Sequence, residues 1–141
     1  MTVLAAFDGS ELAAAALSRA AEYADLTEQR LVVVSVLPTN GELASEYDFG
    51  DDPYDPETAA VELRETVREH AADAVFRAES VEAYAGRRRI ARKIRQTARQ
   101  VEADVVFVGS DDAGRVVRPV SSVAGAVADT DAYDVFIVRS D

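Results

Sequence analysis

Two apolar runs in this chain end in residues that could do chemistry. Val3 to Phe7 leads into Asp8-Gly9-Ser10, and Val105 to Val108 leads into Gly109-Ser110. In an open parallel sheet, ligands bind outside the carboxyl ends of the strands, near the point where the strand order reverses. If the two runs are neighbours, both endings open on one crevice. Beyond Gly109 the chain continues through Asp111, Asp112 and Gly114 to Ser121-Ser122 before a last helical segment. Bare amides and hydroxyls at a helix N-terminus suit a phosphate group. The chemistry on offer is the holding of a phosphorylated small molecule.

Each of these residues also has an ordinary reading. Asp8 can form a turn with Gly9 or cap the helix that starts at Ser10, since Asp-Gly is a generic turn pair. Ser121 and Ser122 can be plain N-caps. Asp111 and Asp112 can pair with Arg115 and Arg118 at the surface, worth about 1 kcal/mol or less. They are also the one acidic pair that could hold Mg²⁺ beside a phosphate. His70 has no second metal ligand or nucleophile at a useful spacing, and cysteine is absent, which excludes thiolate metal sites, disulfides and cysteine nucleophiles.

The elements that must position these residues follow from hydrophobic period. Four short runs, Val3–Phe7, Leu31–Val36, Val105–Val108 and Val135–Val138, are rich in β-branched residues and do not alternate, as strands buried on both faces do not. A weaker strand is expected over Val81–Ala85, at a sheet edge because Glu82 interrupts it. Helical period joins Leu12, Ala16, Ala20 and Tyr23, then Ala60, Leu63, Val67, Ala71 and Ala74, then Ile90, Ile94, Thr97 and Val101. Asp55-Pro56-Glu57 starts the second helix, which is expected to reach about Val75. Residues 38–53 are acidic, aperiodic and read as a long surface loop. Strands alternating with helices predict one α/β domain over 1–141, a doubly wound five-stranded parallel sheet with helices on both faces.

At 141 residues, the chain is long enough to bury roughly 70% of its unfolded surface in a single core. Its formal charge is −11, from 26 acidic against 15 basic residues, and Lys93 is the only lysine. Self-repulsion of that size destabilises a compact state unless ions screen it, so a salt-rich cytoplasm is the expected setting, with an ordinary acidic protein of skewed arginine preference as the alternative. No signal peptide and no run of membrane-spanning length is found, which makes a cytoplasmic location the default. An acidic domain is also a poor general partner for nucleic acid. The one basic cluster, Arg87 to Arg95, reads as a solvated helix face or as a polyanion patch.

The opening strand closing in Phe-Asp-Gly-Ser resembles the start of universal stress proteins, which usually carry Pro-Val-Asp-Gly-Ser; Ala6 stands at the Pro position. Ala103-Asp104-Val105-Val106-Phe107-Val108-Gly109-Ser110 resembles the same family's Ala-Asp-Leu-Ile-Val-Met-Gly-Ser. The resemblance covers almost the whole chain. It implies the fold shared with adenine nucleotide alpha hydrolases and a regulatory or stress-response role without enzymatic activity. It also implies candidate adenine-nucleotide contacts at Asp8 and Val36 on the base side and at Gly109, Gly114, Ser121 and Ser122 on the phosphate side. Family members that bind ATP carry glycine, two residues, glycine, nine residues, then glycine with serine or threonine. Here Asp112 takes the second glycine's place, and Ser121-Ser122 arrives one residue early with serine for the third. ATP binding is therefore expected to be weak or lost. The last strand is expected at a sheet edge, pairing with a second copy in a homodimer. The alternatives are a nucleotide-hydrolysing enzyme using the same crevice and a ligand-free dimeric interaction protein.

Overall fold

The computed structural model describes residues 1–38, 55–81, 87–109 and 133–139. In chain order the elements are β1 (Thr2–Ala6), α1 (Glu11–Leu26), β2 (Arg30–Pro38), α2 (Pro56–His70), β3 (Val75–Val81), α3 (Arg87–Gln100), β4 (Ala103–Gly109) and β5 (Asp134–Val138). The strands form one sheet in the order β3-β2-β1-β4-β5, and every pairing is parallel. The chain steps outward from β1 through β2 to β3, then returns to the other side of β1 for β4. That reversal at β1 is the switch point of a doubly wound sheet.

Apolar residues on both faces of the strands divide the core in two. Val3, Ala5, Val33 and Phe107 pack against Ala13, Leu17 and Ala20 of α1 and Leu63 and Val67 of α2. Leu4, Val32, Val34, Val106 and Val108 pack on the other face against Ala91, Ile94 and Ala98 of α3. Val3, Leu4 and Ala5 are fully buried, as residues on the central strand of a two-faced sheet must be.

The helix starts follow local chemistry. Ser10 caps α1, its Oγ accepting from the Ala13 N–H at 3.1 Å. Asp55 caps α2 by accepting from the Glu57 N–H at 3.3 Å and from the Thr58 hydroxyl at 2.7 Å, and the Thr58 bond holds its pKa below the ordinary carboxylate value. Pro56 occupies the first position of that helix, where no N–H is missed.

Two boundaries differ from the sequence expectation. α2 ends at His70 rather than near Val75, and Ala71 leaves the helix at φ −152°. β3 begins at Val75 rather than Val81; residues 82–86 lie outside the described residues. The cause is exposure: Val75 is 46% exposed and Arg77 and Glu79 interrupt the strand, so no apolar run marks it. Its edge position is as expected. Tyr23 is also more exposed than the helical period implied, the buried stripe of α1 ending on Ala24 instead. The expected acidic loop lies outside the described residues. Among the described residues no helix is long and apolar enough to cross a membrane.

Two of the three described helix-to-strand turns, α1 to β2 and α3 to β4, use a glutamate in left-handed backbone, Glu28 and Glu102, each with φ 54°. Non-glycine residues are disfavoured there because Cβ crowds the following carbonyl. Glu28→Gly and Glu102→Gly should therefore each stabilise the protein, by about 1 kcal/mol or less. Urea denaturation of each variant against the parent measures this.

Candidate functional site

The carboxyl ends of β1, β2 and β4 meet at the switch point. The ladders end at Ala6–Val34 and Ala5–Phe107, and Asp8, Val36 and Gly109 each lie two residues beyond these pairs at the same sheet end. The expectation that β1 and β4 are neighbours holds.

Asp8 sits just past β1, exposed, with its Oδ1 accepting from the Ser10 N–H at 2.9 Å. That is the turn the ordinary reading foresaw, and the cap itself is Ser10. Among the described residues this is the carboxylate's one hydrogen bond, and an ionised carboxylate can accept several more. Gly9 turns the chain at φ +87°, and a Cβ there would stand 3.2 Å from Leu63 Cδ2. Asp8 is thus projected by a turn that only glycine makes easily.

Val36 is buried, 8% exposed, near the end of β2. Its backbone lies at the same sheet end as Asp8, opposite Glu79 of the edge strand. Gly109 closes β4, where a Cβ would stand 3.1 Å from Leu12 Cγ and 3.2 Å from the Leu12 carbonyl carbon and oxygen. The first turn of α1 leaves no room for a side chain at this position, so the glycine has a packing role whether or not a ligand is bound. Gly114, Ser121 and Ser122, together with Asp111 and Asp112, lie outside the described residues.

Ser35 was not foreseen, and it ties this sheet end together. Its hydroxyl, completely buried, donates to the Phe7 carbonyl at 2.6 Å, while the Phe7 N–H donates to the Val34 carbonyl at 2.9 Å. The chain leaving β1 is therefore clamped to β2 for one residue past the strand, and Asp8 follows directly. The available signal was a lone serine inside an otherwise apolar strand, since a buried hydroxyl must find a partner. Among the described residues no three His, Cys, Asp or Glu side chains gather closely enough to hold a metal ion.

Removing either packing device should be costly. Ser35→Ala strands the buried Phe7 carbonyl and should destabilise the fold by about 1–3 kcal/mol. Gly109→Ala drives a methyl into the backbone of α1 and should cost about 1–3 kcal/mol by overpacking. Both are read by urea denaturation, and a parent-like midpoint for either variant would contradict the corresponding contact.

Comparison with known proteins agrees with this architecture. A solved universal stress protein in complex with cAMP superposes with a TM-score of 0.70 at 21% identity, covering 100% of this chain and 98% of that one. UspA from Lactobacillus plantarum superposes at 0.63 with 20% identity, covering 99% and 97%. A universal stress protein from Archaeoglobus fulgidus in complex with dAMP superposes at 0.61 with 20% identity, covering 97% and 95%. No curated protein sequence matches. The sequence model of the universal stress protein family matches residues 1–139, and the chain belongs to that family.

Proposed function

We propose that this stress protein is a regulatory binding module rather than an enzyme, and that it takes an adenine nucleotide weakly at the end of β1, β2 and β4. The observation that carries this reading is the convergence of Asp8, Val36 and Gly109 at the switch point. A carboxylate suits a ribose hydroxyl, and the backbone at the end of a buried strand suits the edge of a base. Two solved relatives of the same fold hold cAMP and dAMP, which supports an adenine nucleotide as the ligand class.

The phosphate side is the weaker half. Asp112 brings a carboxylate where phosphate needs an uncharged approach, and Ser121 replaces the glycine that lets phosphate reach the backbone. Each intrusion costs on the order of 1–3 kcal/mol, or about ten- to a hundredfold in affinity.

The oligomeric reading rests on β5. It is an edge strand, and Phe136 is 47% exposed there, stacked on Phe107 at 5.0 Å. An apolar edge of this kind is relieved by pairing, and a second copy of the chain is the partner we assign. Sedimentation at micromolar concentration in high salt should show a dimer; a monomer overturns the assignment.

Calorimetric titration tests the ligand. ATP and adenosine should both bind the parent weakly, and Asp112→Gly with Ser121→Gly should tighten ATP by about tenfold or more while leaving adenosine unchanged. Low-micromolar ATP binding by the parent, or no response to the double change, would refute the reading of the phosphate side. Absence of adenosine binding would refute the site itself.

A further inference from the structure

We infer that the outer face of α3 is a docking surface for a carboxylate-rich segment of a partner protein. Seven of the chain's 15 basic residues, Arg87, Arg88, Arg89, Arg92, Lys93, Arg95 and Arg99, lie on this one helix, and none of its 26 acidic residues does. The other described helices mix signs: α1 carries Glu11, Arg19, Glu22 and Asp25, and α2 alternates Glu62, Arg64, Glu65, Arg68 and Glu69. A uniformly basic helix on a chain of net charge −11 departs from the composition around it.

Burial fixes which way the cations face. Ala91, Ile94, Thr97 and Ala98 are buried against the sheet, whereas Arg89, Arg92, Gln96 and Arg99 are exposed and Lys93 and Arg95 are half-exposed. Positions 89, 92, 96 and 99 follow helical spacing and form one stripe, about 15 Å long at 1.5 Å per residue. Among the described residues no carboxylate lies within ion-pair distance of Arg92, Lys93 or Arg99. Arg89 and Arg95 have contacts of their own.

The patch fits carboxylates better than a nucleic-acid backbone. It is short, so a longer phosphate chain would run onto the acidic remainder of the molecule and be repelled. α3 carries no aromatic residue on which a base could stack. Arginine forks pair with carboxylates two bonds at a time, and a short acidic peptide brings a matching density of charge.

The test uses the full chain and a fluorescein-labelled five-residue glutamate peptide, about 16 Å long when extended and so matched to the stripe, read by anisotropy. The parent should bind the peptide at about 50 mM KCl and lose at least roughly tenfold in affinity by about 500 mM. Arg92→Gln combined with Lys93→Gln and Arg99→Gln should weaken binding by about tenfold or more, while Arg19→Gln with Arg68→Gln should change it less than about twofold. Circular dichroism confirms that each variant is folded, and Arg92→Gln with Arg99→Gln serves if the triple variant is not. No peptide binding by the parent would overturn the proposal, as would equal losses in the α3 and control variants. Tighter binding of a six-nucleotide single strand, with its five phosphates, than of the peptide would overturn it in favour of a phosphate backbone.

Discussion

Everything in this structure hangs on the two-sided pairing of β1. The strand is only five residues long, yet it hydrogen-bonds β2 along one edge and β4 along the other, and its interior residues are fully buried on both faces. Placing it in the centre makes the chain reverse direction across the sheet, and that reversal creates the crevice. The register of the two ladders decides which residues meet there. A slip of one residue on either side would shift Val36 or Gly109 along the sheet relative to the end of β1 and turn each side chain of that ladder to the opposite face.

The clamp beyond β1 shows how fold and site share the same atoms. Ser35 satisfies a carbonyl that would otherwise be buried without a partner, and by doing so it sets where the chain turns toward Asp8. Gly9 and Gly109 serve packing first: one lets the turn pass over Leu63, the other lets the first turn of α1 lie on the end of β4. A ligand at this sheet end would meet a surface already fixed by such contacts, which lowers the ordering cost of binding.

Much of this was legible in the sequence because the inner strands are apolar on both faces. Val3–Phe7, Leu31–Val36 and Val105–Val108 announce themselves as runs, and the crossover rule then leaves few topologies. The edge strand β3 was blurred for the opposite reason: half of it faces solvent, Arg77 pairs with Glu79 across that exposed side, and the strand reads like the end of a helix. Ser35 stood out only as a lone serine in an apolar strand; its partner, a carbonyl 28 residues away, is recorded by nothing in the local pattern. Asp8, Val36 and Gly109 could be named from motif alone, but their convergence required the register.

The order of the strands also governs how the molecule comes into being. β1, β2 and β3 lie side by side in the order they are made, so the first part of the chain can assemble through local crossovers. The other edge of β1 has no partner until residues 103–109 join, a pairing that spans most of the sequence. Until then a growing or truncated chain presents an apolar strand edge open to any neighbour, the kind of intermediate that aggregates. The crevice is half-built throughout that interval, so its completion coincides with the removal of the exposed edge.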